Sequence, residues 1–132
     1  MGLTIEPQLA VFLDNRPGML ARTCQALAKA KINIRALSIL DTVDHAIIRM
    51  VVDKPKEAEQ VLSGMHAMVQ RRDVVVMDVP NRVGELAAIA ERLAEAGINL
   101  EYAYATGTDR APMVAVVLGV SEPQRASAAT GI

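Results

Sequence analysis

One pattern is written twice in this chain. Asn15-Arg16-Pro17-Gly18-Met19-Leu20, followed by Ile32-Asn33-Ile34, returns 66 residues later as Asn81-Arg82-Val83-Gly84-Glu85-Leu86, followed by Ile98-Asn99-Leu100. Of the nineteen positions from Asn15 to Asn33, ten are identical to those from Asn81 to Asn99, more than an Ala- and Leu-rich composition produces between unrelated segments. A repeat of this kind means one supersecondary unit used twice. The 132 residues therefore divide into two units, 5–73 and 74–132. Each is too small to bury a generous core by itself, so the halves are expected to pack together or the chain to dimerise.

Composition narrows the class of function. With 52 % hydrophobic and 22 % charged residues the chain reads as globular and not as a disordered segment. Fourteen basic residues are set against fifteen acidic ones, and there are one Phe, two Tyr and no Trp. There is thus neither a basic footprint nor an aromatic platform for bases, and no nucleic acid is expected as partner. A single cysteine, Cys24, leaves no disulfide framework or Cys-rich zinc site and suits a reducing cytosol. No basic-then-apolar leader and no run of membrane-spanning length is present, so the expectation is a cytoplasmic protein with no membrane partner.

Periodicity gives the elements. Gln8 to Leu13 reads as a strand bounded by Pro7 and the turn cluster from Asp14 to Gly18. Leu20, Thr23, Leu27 and Ala30 recur at helical spacing, which predicts a helix over 19–31. Strands follow at 32–40 and 45–52. Pro55 opens a second helix with the stripe Ala58, Val61, Leu62 and Met65, and a fourth strand spans 68–72. The second copy repeats this with a strand at 74–79, a helix at 85–96 (stripe Leu86, Ile89, Leu93), strands from Ile98 and at 113–120, and a helix from Pro123. The fold class is α+β: two tandem ferredoxin-like βαββαβ units, each with both helices on one face of an antiparallel sheet. The counterpart of strand 68–72 falls beyond Ile132, so the second unit reads as short of a strand. An unpaired sheet edge results, a reason to expect a homo-oligomer.

The repeated turn joins a strand end to a helix start, where the first backbone N–H groups lack internal partners and the helix dipole is positive. A carboxylate suits that place, and Gly18 or Gly84 lets it approach the backbone. Asn15 and Asn81 either cap the helices or face a ligand. Asn33 and Asn99 interrupt apolar strand starts; they either make an Asx turn or offer a donor and an acceptor to a zwitterion.

Strand, Asn-x-Pro-Gly-x-Leu turn, helix and Ile-Asn-Ile together resemble the ACT domain, the amino-acid-sensing regulatory module of many biosynthetic enzymes. The first unit is especially similar to the serine-sensing ACT domain of phosphoglycerate dehydrogenases. The resemblance covers nearly the whole chain as two tandem ACT-like units with their sheets paired side by side, and no catalytic domain. It implies that the units pair edge to edge through their second strands and bind a free amino acid at the seam. One site would comprise Asn15, Pro17, Gly18, Met19 and Leu20 with Asn99; the other Asn81, Gly84, Glu85 and Leu86 with Asn33. Leu13 and Val79 stand where the serine-sensing pattern has a His, which argues for a larger or more apolar amino acid than serine. Glu85 at a helix start is expected to repel a ligand carboxylate, so the Asn15 site is expected to bind more tightly.

Catalysis finds little support. His45 and His66 lie in different elements without a carboxylate or cysteine at ligand spacing, so no metal is expected. Cys24 has no recognisable His partner, and neither a nucleophile elbow nor a phosphate-cradling Gly-rich loop is present, so no cofactor is expected. Three readings stay open: a non-catalytic amino-acid sensor, a regulatory subunit docking on a separate, unidentified enzyme, and a structural oligomerisation module with vestigial sites.

Overall fold

The computed structural model describes residues 2–42 and 44–130. In chain order the elements are β1 (Leu3–Asp14), α1 (Met19–Lys29), β2 (Ile34–Asp41), β3 (His45–Val52), α2 (Pro55–Gly64), β4 (Met68–Pro80), α3 (Glu85–Glu95), β5 (Leu100–Thr106), β6 (Met113–Val120) and α4 (Pro123–Ala129). They form two compact units: one runs from Pro7 to Arg72, the other takes the residues up to Glu6 together with those from Asp73 on.

In the Pro7–Arg72 unit the strands lie in the order β2-β3-β1-β4, the last contributing its first residues. β1 pairs antiparallel with β3 from Leu9 opposite Met50 to Asp14 opposite His45, and β2 pairs antiparallel with β3. Alternation puts Leu9, Val11 and Leu13 of β1 and Ile48, Met50 and Val52 of β3 on one face. Leu27 of α1 and Ala58 and Leu62 of α2 close over that face. Full burial of a side chain such as Leu27 or Leu62 is worth roughly 1.5–3 kcal/mol, so this layer supplies most of the unit's cohesion.

The second unit repeats the design. β4 pairs antiparallel with β6 from Val75 opposite Leu118 to Pro80 opposite Met113, and β6 pairs antiparallel with β5. Val75, Met77, Val79, Val116, Leu118 and Val120 form the sheet side of its core. Ile89, Leu93 and Ala126 cover it from α3 and α4. Even the bulges correspond: the ladder slips between Ile34 and Ala36 in β2 and between Leu100 and Tyr102 in β5.

Three sequence expectations need correction. The second unit is not left without a fourth strand, because Leu3–Glu6, the start of β1, belongs to it. There the N–H of Asp78 donates to the Gly2 carbonyl at 2.9 Å, and Leu3 packs against the Val75–Leu118 core. The first strand does not begin after Pro7 but passes through it, although a proline has no N–H for a ladder; Pro7 is the residue at which the strand changes units. The segments 68–72 and 74–79 are likewise one strand, β4.

The second correction concerns the helix faces. Thr23 and Leu27 are buried in α1 and Ile89 and Leu93 in α3, but Leu20 is 39 % and Leu86 53 % exposed. Met19 takes the inward place in the first turn of α1.

The third concerns the second strands. β2 neighbours only β3 and β5 neighbours only β6, each being the outermost strand of its unit, so the expected pairing of β2 with β5 is not formed within one chain. Among the described residues no helix is long and apolar enough to cross a membrane.

Candidate functional site

Both repeated turns end in a glycine with left-handed backbone: Gly18 at φ 87°, ψ −9° and Gly84 at φ 88°, ψ −5°. A Cβ at either position would meet no atom within 4 Å, so the backbone angle and not crowding requires glycine. These glycines are the N-caps of α1 and α3, and no side chain caps either helix. The Met19 and Glu85 N–H groups turn back to the Arg16 and Arg82 carbonyls at 3.4 and 3.5 Å, which leaves the next N–H groups of each first turn to an acceptor at the positive end of the helix dipole.

The asparagines do something else. Asn15 donates through Nδ2 to Asp41 Oδ1 at 2.6 Å and to the Thr42 carbonyl at 3.2 Å. Asn81 donates through Nδ2 to the carbonyls of Thr108, Asp109 and Ala111 at 3.1, 3.3 and 2.9 Å. Each amide thus ties its turn to the loop that follows the second strand of its unit. Neither asparagine caps its helix; the sequence did not show this tie, because the partners lie 26 to 30 residues away.

The other expected residues are distributed as follows. Pro17, Gly18 and Leu20 are exposed on the first turn, while Met19 is half-buried against the core. Asn33 lies at the far end of α1, about 16 Å along an 11-residue helix. Its N–H donates to Asp53 Oδ1 at 2.9 Å and its carbonyl accepts from Asp53 N–H at 3.1 Å, leaving the exposed side chain at the start of an edge strand. Asn99 is exposed at the corresponding point before β5. Neither lies at the turn of its own unit.

The second turn borders a cavity of about 360 Å³ within its unit. Its floor is apolar: Val79, Val114 and Val116 from β4 and β6, with Ala103 and Ala105 of β5 leaving the space that larger residues would fill. Leu86, exposed in the helix pattern, is one of its walls. Polar groups come from Arg82, Glu85, Asn81 and Tyr104. The Arg82 guanidinium donates to Glu85 Oε1 from Nη2 at 2.8 Å and from Nε at 3.1 Å. Glu85 therefore does not stand at the helix start as a bare charge, contrary to the reason for ranking this site second. The i, i+3 spacing of Arg82 and Glu85 and the small residues alternating on β5 were the available sequence signals for this cavity.

Such a place, an apolar hollow with a cation and an anion side by side and free helix N–H groups, can hold a molecule that carries both charges beside an apolar group. Its volume lies within the range of roughly 300–1,000 Å³ typical of small-molecule sites. Among the described residues no cluster of three metal-ligating side chains occurs.

No curated protein matches the chain. A solved structure of a protein from Bacteroides thetaiotaomicron is 31 % identical over 96 % of this chain and 87 % of its own, with a TM-score of 0.88. The regulatory subunits of aspartate kinase from Thermus thermophilus and Thermus flavus are each 18 % identical over 98 % of this chain and 93 % of theirs, with TM-scores of 0.73 and 0.66. At that identity they share the fold. The family described as ACT domain pair matches residues 3–126, which spans both glycine turns and all six strands, and the chain belongs to that family.

Proposed function

We propose that this chain is a non-catalytic regulatory protein that binds a free amino acid, and that the cavity beside the second turn is the seat of the ligand. The observation that carries this reading is the pairing of an apolar hollow with Arg82 and Glu85. The guanidinium and the N–H groups that follow Glu85 in the first turn of α3 receive the α-carboxylate, the Glu85 side chain receives the ammonium, and the valine and alanine floor receives an apolar side chain. Opening the Arg82–Glu85 pair to the ligand costs little, since an exposed ion pair of this kind is worth about 0.2–1 kcal/mol.

A role for Asn33 and Asn99 then requires a second copy of the chain. β2 and β5 each have a strand neighbour on one side only, and β2 exposes Leu37, Ile39 and Leu40. Edge pairing between copies at β2 or β5 would bring the exposed asparagine of one copy toward the turn of the other. Similarity in fold to the regulatory subunits of aspartate kinase from two Thermus species supports the variant in which the partner is a separate enzyme.

Thermal unfolding in the presence of each of the twenty amino acids tests the reading, because a ligand that binds only the folded chain raises Tm. Apolar amino acids are expected to raise it, and Ala105→Leu, which fills the hollow without adding a polar group, is expected to remove the shift. If none of the twenty moves Tm, the chain is a structural module and the proposal is wrong.

A further inference from the structure

The first unit has its own cavity, of about 200 Å³, on the side of α1 that faces the segment leading into β4. Arg16 of the turn, Arg22 of α1 and His66 line it over Phe12, with Asp14 as the only acid. The charges do not cancel. Arg16 Nε stands 3.9 Å from Asp14 Oδ2, beyond hydrogen-bond reach, with both side chains more than half exposed. The Arg22 guanidinium has no ion-pair or hydrogen-bond partner among the described residues.

The repeat supplies an internal comparison. Arg16 and Arg82 are equivalent, but Arg82 is closed by Glu85, whereas the first unit has Met19 at that position and no acid in the first turn of α1. Where the second unit has Ala88, the first has the additional Arg22. The second copy balances its arginine with Glu85, whereas the first sets two arginines against the single acid Asp14, which stands where the second has Pro80, and so keeps one positive charge in excess. His66 adds a third nitrogen-bearing group; its φ of 61° is that of the left-handed residue ending α2, where its N–H donates to the Ser63 carbonyl at 3.0 Å and the Ala67 N–H to the Leu62 carbonyl at 3.3 Å.

We infer that this cavity is a second binding site, for a tetrahedral oxyanion of the phosphate type, gripped by Arg16 and Arg22 with His66 as a further donor. Guanidinium forks match the oxygens of a phosphate group bidentately and stay charged at all relevant pH values. The volume, below that of ordinary small-molecule sites, suits the anionic group itself more than a large molecule attached to it. The site is independent of the amino-acid seat in the other unit and stands or falls separately from it.

The test is NMR titration of the whole protein with inorganic phosphate, and in a second arm with glycerol 3-phosphate, at ionic strength held constant with chloride. Saturable shifts confined to Arg16, Met19, Arg22 and His66 are expected. Arg22→Ala, at an exposed helix position, and Met19→Glu, which brings in the acid of the second unit, are each expected to weaken binding at least tenfold. Arg82→Ala is expected to leave it unchanged. Binding of phosphate alone identifies the free ion as sufficient; binding of the ester alone assigns a phosphorylated small molecule. No saturable shift with either probe, or equal affinity in the Arg22→Ala and parent proteins, overturns the inference.

Discussion

Val83 is fully exposed where the first copy of the turn has Pro17. The glycines that follow have almost the same backbone angles in the two copies, and no backbone bond is made by the Val83 N–H. Proline at 83 should therefore fit the folded chain and restrict only the unfolded one. Val83→Pro is expected to raise stability by about 0.4–1 kcal/mol, read from the midpoint of urea unfolding at unchanged m-value. The turn glycines were fully legible in the sequence, because a left-handed residue before a helix is a local demand. The part played by Met19 was not, since its half-burial depends on a core assembled from distant strands.

Between elements, the repeated asparagine ties its turn to a segment far along the chain. Asn81 holds three carbonyls of the β5–β6 loop, so Asn81→Ala is expected to lower the stability of the ligand-free chain by roughly 1–2 kcal/mol. Denaturant unfolding without any amino acid present checks this. An unchanged midpoint would return Asn81 to the role of a ligand-binding group. Helices and strands were for the most part visible from periodicity: β3 and β6 have the boundaries that the residues suggest. Leu20 and Leu86 misled because a leucine at i−3 from the buried Thr23 or Ile89 fits the helical stripe, whereas in the structure both are exposed and Leu86 borders a cavity instead of filling the core.

On the scale of the molecule, the order in which the chain enters its two units is the main finding. Residues up to Glu6 complete the unit that begins at Asp73, with Leu3 in its core. A chain beginning at Pro7 is expected to lose about 1–3 kcal/mol or more from that unit. Hydrogen exchange should rise around Val75 and Leu118 while Leu27 and Met50 keep their protection; uniform loss across both units would contradict the division. What the sequence determined by itself was the repeat, the turn chemistry, the helix-forming and strand-forming stretches, and hence the α+β class, because all of these depend on residues within a few positions of one another. Only the tertiary structure decided which strand fills the missing place, which loop each asparagine holds, and that β2 and β5 are outer strands. Those outcomes follow from pairings across long stretches of chain, and strand ends of similar composition leave no local mark of which neighbour they will take.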